Sequence, residues 1–279
     1  MLAIWIVIFS SPIGSERGTF SAIGMGAKPQ ALGGAFTAIA DTPDASYWNP
    51  AGLSQLSQRE ISCMQTDLYG MSLLYSSFAF AEPFGSLTAG IAFSGLDAGG
   101  AFLNFPYKEG SYLATLSGLT AKNLRWGVNL KYNYTDGGSE FLSSKEQGIG
   151  LDFGFLWQRG ALALGLTVRD AYTKLSGTLT EDGAQKATNR LLTPDLTVGF
   201  SYLLRNLTLA LDLSELANNP KLHLGAEYKV NQQVKARAGY SDSGISFGLG
   251  LGKGSWLFDY AYTTHAAGDS QRLSLGLKF

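Results

Sequence analysis

From about residue 58 to the last residue the chain repeats one pattern, a strict alternation of apolar and polar side chains. Leu124, Trp126, Val128, Leu130, Tyr132 and Tyr134 interleave with Arg125, Gly127, Asn129, Lys131, Asn133 and Thr135. Ile149, Leu151, Phe153, Phe155 and Trp157 interleave with Gly150, Asp152, Gly154, Leu156 and Gln158, and Leu273, Leu275, Leu277 and Phe279 with Ser274, Gly276 and Lys278. Successive side chains of a strand point to opposite faces, so period two means sheets with one apolar and one polar face. Runs of about nine to eleven residues are long enough to cross a bilayer when tilted.

Such runs number about fourteen, near 58–67, 71–82, 86–95, 111–121, 124–135, 147–158, 161–170, 193–204, 207–214, 221–230, 233–241, 244–252, 255–263 and 271–279. Connections after even-numbered runs are brief: Pro83-Phe84-Gly85, Lys122-Asn123, Arg159-Gly160, Arg205-Asn206, Asn231-Gln232 and Lys253-Gly254. The long ones, about 96–110, 136–146, 171–192 and 264–270, all follow odd-numbered runs. Short turns on one side and longer loops on the other are the habit of outer-membrane barrels. The predicted fold is therefore all-β: a transmembrane antiparallel β-barrel of about 14 strands in a bacterial outer membrane, with both termini periplasmic.

The competing architecture is a soluble β-sandwich, and composition weighs against it. Charged residues make up 15%, aromatics 12%, and Gly 35 of 279 residues, with a mean hydropathy of only +0.04. A sandwich needs more charge on its wet faces, whereas a barrel dilutes its apolar band by alternation. A net charge of −1 leaves no basic surface for nucleic acid.

Alternation also assigns faces. The Leu, Val, Phe and Tyr set faces lipid, with Trp126, Trp157, Trp256, Tyr132, Tyr134, Tyr202, Tyr260 and Tyr262 as interfacial girdle residues. The opposite set lines the lumen: Arg125, Lys131, Asp152, Arg169, Asp212, Glu227, Lys229, Lys235, Arg237 and Asp259. Both signs occur, which predicts a network of paired charges, either filling a closed lumen or bordering a path.

The start of the chain lacks this period. Leu2 to Phe9 is apolar and is followed by Ser10, Ser11, Pro12 and Gly14. Residues 1–15 read as a signal peptide, although no Lys or Arg precedes the apolar run; a buried N-terminal strand is the alternative. Residues 16–57 read as a segment plugging the lumen, with the barrel over 58–279. Its gate candidates are Gly33, Gly34, Asp41, Trp48, Asn49, Pro50, Ala51 and Gly52. The glycines shape the backbone, Pro50 holds Asn49 extended, and Asn49 hydrogen-bonds groups that would otherwise lack partners. A phosphate loop at Gly24-Met25-Gly26 is disfavoured, because neither a βαβ pattern nor a Gly-Lys-Ser/Thr sequence surrounds it.

Catalytic residues are few. His223 and His265 are the only histidines and Cys63 the only cysteine. No spacing suggests a catalytic set, a metal site or a cofactor, and no enzymatic activity is expected.

The stretch Ala31-Leu32-Gly33-Gly34-Ala35-Phe36-Thr37-Ala38-Ile39-Ala40-Asp41 through Trp48-Asn49-Pro50-Ala51-Gly52-Leu53 resembles the N-terminal signature of the PorV/PorQ family, within the FadL-like outer-membrane barrels. Leu224-Gly225-Ala226-Glu227-Tyr228, Ala236-Arg237-Ala238-Gly239-Tyr240, Ser246-Phe247-Gly248-Leu249-Gly250-Leu251 and Asp259-Tyr260-Ala261-Tyr262 before Arg272-Leu273-Ser274-Leu275 extend the resemblance, and terminal Phe279 resembles the signal read by the barrel-assembly machinery. The resemblance implies a 14-stranded barrel with its N-terminal segment folded into the lumen. It implies outer-membrane lipid and the assembly machinery as partners. It leaves two roles open, transport of hydrophobic small molecules or docking of secreted proteins in a type IX-like pathway, beside a purely structural closed barrel. The loops are short beside those of FadL-like transporters, which counts against a fatty-acid role.

Overall fold

The computed structural model describes residues 23–99, 106–139 and 141–279; the expected signal peptide, with the first residues of the expected plug, lies outside them. Fifteen strands form one antiparallel sheet. They are β1 (Glu60–Leu68), β2 (Leu73–Phe84), β3 (Leu87–Asp97), β4 (Tyr107–Ala121), β5 (Leu124–Gly138), β6 (Leu142–Arg159), β7 (Leu162–Glu181) and β8 (Ala184–Leu191), then β9 (Asp195–Leu204), β10 (Leu207–Ser214), β11 (Lys221–Lys229), β12 (Val234–Ser241), β13 (Gly244–Lys253), β14 (Trp256–Thr263) and β15 (Ser270–Lys278). β1 pairs with β15, and β6 with β7, so the sheet closes on itself. Fourteen strands make the ring; β8 pairs only with the outer half of β7. The expected barrel is there.

Alternation places the side chains as expected. Leu130, Phe155, Phe200, Leu249 and Leu273 stand out from the barrel and are exposed, while their neighbours Asn129, Gly154, Ser201, Gly250 and Arg272 point inward. Trp126, Trp157, Tyr202 and Trp256 lie toward the short-turn end, and Tyr134 and Tyr262 toward the long-loop end.

One boundary differs from expectation. Residues 171–192, expected to be a loop, continue β7 to Glu181, turn at Asp182-Gly183 and return as β8. Both turn residues have positive φ, 47° and 80°, the twist that suits a tight hairpin. In this hairpin only Leu175 and Leu179 of β7 mark an apolar face, and β8 is polar or small up to Leu191, so the alternation is too short to stand out in the sequence. β7 shifts neighbour at Asp170: Leu162 to Arg169 pair with β9, and Lys174 to Glu181 with β8.

The N-terminal segment joins no strand. It runs from Ile23 through helix α1 (Ala27–Ala31), helix α2 (Ala45–Trp48) and a 3₁₀ turn (Pro50–Gln55) into β1. Leu32, Phe36, Ala40, Ala45, Leu53 and Leu56 form its apolar core with Ala81 of the wall. Trp48 packs edge-on against Phe36 and Tyr47, at 6.3 and 5.2 Å between ring centres.

Candidate functional site: the occupied lumen and the cavity above it

Room for the segment comes from inward-facing glycines. A Cβ on Gly127 or Gly154 would strike Pro50, on Gly165 or Gly199 Thr37, on Gly225 or Gly239 Leu32, and on Gly248 Ala31. These glycines sit on seven of the fourteen ring strands, so through them alone the segment touches half of the wall. Within the segment, Gly33 (φ 66°) and Gly34 (φ 86°) adopt left-handed backbone, and a side chain on Gly33 would meet the backbone of Tyr240. Gly52 lies against the carbonyl of Ala40.

Polar tethers hold the segment. Asn49 is fully buried: its Nδ2 donates to the carbonyls of Thr37 (2.8 Å) and Phe155 (3.0 Å), and its Oδ1 accepts from Ala51 N (3.1 Å). Asp212 Oδ2 accepts from the amides of Phe36 (3.0 Å) and Thr37 (2.8 Å). His223 Nδ1 lies 2.7 Å from the carbonyl of Gly33 and Nε2 2.9 Å from Ser214 Oγ. A carbonyl only accepts, so Nδ1 carries the proton and Nε2 takes the Ser214 hydroxyl. Ser117 Oγ donates to the carbonyl of Ala51, Asn129 Nδ2 to that of Ser46, and Trp48 Nε1 to that of Met25. Sequence motifs pointed to Asn49 but not to the clamp at His223, whose partner is 190 residues away.

Charges border the segment in two groups. Toward the short turns, Arg237 binds Glu227 (2.7 Å) and Asp259 (2.5 Å), Lys235 binds Glu227 (3.2 Å), and Lys28 binds Asp41 (2.6 Å). Toward the long loops, Lys131 bridges Asp152 (2.8 Å) and Asp170 (2.5 Å), and Arg169 binds Asp195 (2.5 Å) while its guanidinium lies over the Tyr47 ring. Asp152 also accepts the amide of Asp170 (2.7 Å), which fixes the point where β7 leaves β9. A buried ion pair holds when further hydrogen bonds satisfy both partners, and here they do. Three candidates stand apart from the expected network of paired charges: among the described residues, Asp212 meets backbone amides and no cation, Arg125 faces the lumen with no carboxylate partner, and Lys229 lies exposed at the short-turn rim, past the last buried position of β11.

Above the segment, in the long-loop half, lies a cavity of about 490 Å³. Gly24, Gln30, Gly34, Thr37 and Trp48 form its floor, and its wall carries Arg169, Asp195, Asp212, His223, Tyr69, His265 and Arg272. The volume falls within the range of small-molecule sites. Tyr69 lies in no motif, and Arg272 stood in the resemblance only as the start of Arg272-Leu273-Ser274-Leu275, with no role attached.

These features define a closed 14-stranded barrel whose lumen holds its own N-terminal segment beneath a solute-sized cavity. No protein-family model matches the chain, and no curated protein does. Among solved structures it is similar to the CymD monoaromatic hydrocarbon channel, with a TM-score of 0.70 at 14% identity over 94% of this chain and 99% of that one. It is similar also to the P. putida toluene transporter TodX, with a TM-score of 0.64 at 13% identity over 92% and 99%. At such identities the likeness carries the fold: this chain has the barrel architecture of those channels.

Proposed function

We propose that the protein is a non-enzymatic outer-membrane channel that passes a small solute from the long-loop side, with residues 23–56 as its gate. The carrying observation is the cavity floored by a segment that pairs with no strand and is held through side-chain tethers. Such a segment can shift without opening the sheet, whereas a strand of the ring cannot. The expected lipid-facing band and aromatic girdles agree with a bilayer setting, the short turns and Phe279 lying on the periplasmic side. Gly33, Gly34 and Gly52 serve the gate through backbone shape, Asn49, Trp48 and Ala51 through hydrogen bonds, Asp41 through Lys28, and Pro50 by packing against Gly127 and Gly154.

A docking role of the PorV/PorQ kind is the second reading. It is favoured by the β7–β8 hairpin, which stands beyond the ring with one free edge and with exposed Phe141 and Leu191 beside it.

The test is solute uptake by liposomes carrying the refolded full-length protein and its Asn49→Ala variant. A gated channel gives measurable uptake that changes at least threefold in the variant. Sealed liposomes with both proteins would reject the channel and leave docking.

A further inference from the structure

Arg272 shares with Arg125 the lack of a carboxylate partner among the described residues, but it is buried more deeply and it alone of the two faces the cavity. It is only 6% exposed and lines the cavity. Nη1 donates to Thr263 Oγ1 at 2.6 Å, and Nε has no partner. No carboxylate among the described residues lies within ion-pair distance of it. Other cations buried as deeply, Lys28, Lys131 and Arg237, each meet a carboxylate at 2.8 Å or closer.

The acids around the cavity do not supply the missing charge. Asp195 is taken by Arg169 and Glu215 by Lys221 at 2.8 Å, and Asp212 is held through Oδ2 by two backbone amides, its Oδ1 meeting no partner. They stand on or beside β9 and β10, while Arg272 stands on β15, five places along the ring. The histidines are occupied too: His223 holds Gly33 and Ser214, and His265 Nδ1 accepts from Ala267 N. Near Arg272, the Tyr69 ring lies 4.8 Å from that of His265, and Ile23 and Trp48 add apolar surface to the cavity.

We propose that Arg272 is the recognition residue of a carboxylate site, and that the cavity takes a ring-sized organic acid with one carboxylate. The proposal rests on the channel reading only in naming that channel's solute. A guanidinium taken out of water is stable beside an anion, and its planar fork matches a carboxylate. Rings and apolar side chains in the same cavity suit a ring-bearing solute. A neutral hydrocarbon in that space would keep water from Arg272 and return no hydrogen bond, a costly exchange.

Binding of benzoate, benzamide, toluene and laurate to the full-length barrel in detergent tests this by calorimetry at neutral pH. Benzoate should bind at least tenfold tighter than benzamide or toluene. Arg272→Gln should lose that preference and Arg272→Lys retain part of it, with the mobility shift of unheated samples reporting a folded barrel. Equal binding of benzoate and benzamide by the unmodified protein overturns the proposal without any variant. So does a preference that survives in folded Arg272→Gln, and laurate binding tenfold tighter than benzoate overturns the compact solute. Benzoate preference in detergent without benzoate flux in liposomes rejects the channel and keeps the site; flux without preference does the reverse.

Discussion

At the scale of single residues, Asn49 joins more of the molecule than any other side chain of the N-terminal segment. Its amide serves Thr37 within the segment and Phe155 in β6, so Asn49→Ala removes bonds to the Thr37 and Phe155 carbonyls and to the Ala51 amide. Each such loss costs about 1–3 kcal/mol, enough to free a segment held by a few tethers. The variant should therefore keep the mobility of a folded barrel but gain chymotrypsin cleavage near Phe36 and Trp48; unchanged protection of these sites would refute the tether. The Asn-Pro-Ala-Gly-Leu motif made Asn49 legible in the sequence. Arg272 was not, because Gln271-Arg272 reads as two polar residues at the start of a strand. What marks it is a partner it lacks, and that exists only once the ring has closed.

At the scale of elements, β7 changes neighbour over a few residues around Asp170, which has a φ of 53°. Lys131 holds two carboxylates together there. Lys131→Met would bury Asp152 and Asp170 side by side without a cation, a loss of about 3–5 kcal/mol. It should lower the urea midpoint of unfolding in lipid vesicles, and Asp152→Asn with Asp170→Asn on that background should recover part of the loss. A midpoint unmoved by Lys131→Met would mean that the cluster does not hold the switch. The hairpin beyond it is a different matter. The inner half of β7 pairs with β9 independently of β8, so joining residue 174 directly to 191 should leave a barrel that still shows the folded mobility shift. Loss of that shift would make the hairpin part of the closure.

The strands with an apolar outer face and a polar inner face were legible as period two, and the count of the ring followed. The hairpin was not, since Leu175 and Leu179 alone carry its apolar face on β7 and β8 has no alternation of its own. Its one local sign was Asp182-Gly183, a turn signal lost in what reads as a polar loop. Lumen charges were legible as a set by parity, but their pairing was not, because partners such as Arg237 and Asp259 come from different strands.

At the scale of the whole molecule, inner-face glycines decide whether the lumen is occupied. They lie on extended strand backbone, and at Gly127 and Gly154 the nearest atoms all belong to the segment, so a valine there fits the strand and conflicts first with the segment. Gly127→Val with Gly154→Val fills the space of Pro50 and Asn49. The doubly substituted barrel should fold, release the segment and show steady conductance in planar bilayers well above that of the unmodified protein. A quiet double variant would mean that something other than residues 23–56 closes the lumen. The glycine content hinted at a barrel, but which glycines make room for the chain itself could be seen only with the segment in place.

The ring closes between β1 and β15, with Ala27 N hydrogen-bonded to Ser274 Oγ across 247 residues. The stretch synthesised early therefore gets its full set of contacts only when the end of the chain arrives. Until then, the inner faces of the later strands on which Leu32, Thr37 and Pro50 rest are not in place. Residues 23–56 are thus the cargo of the barrel's own assembly, enclosed by the last seam to be sewn. Contacts so distant in sequence close slowly, and the order of events leaves that seam as the final checkpoint on whether the interior was packed correctly.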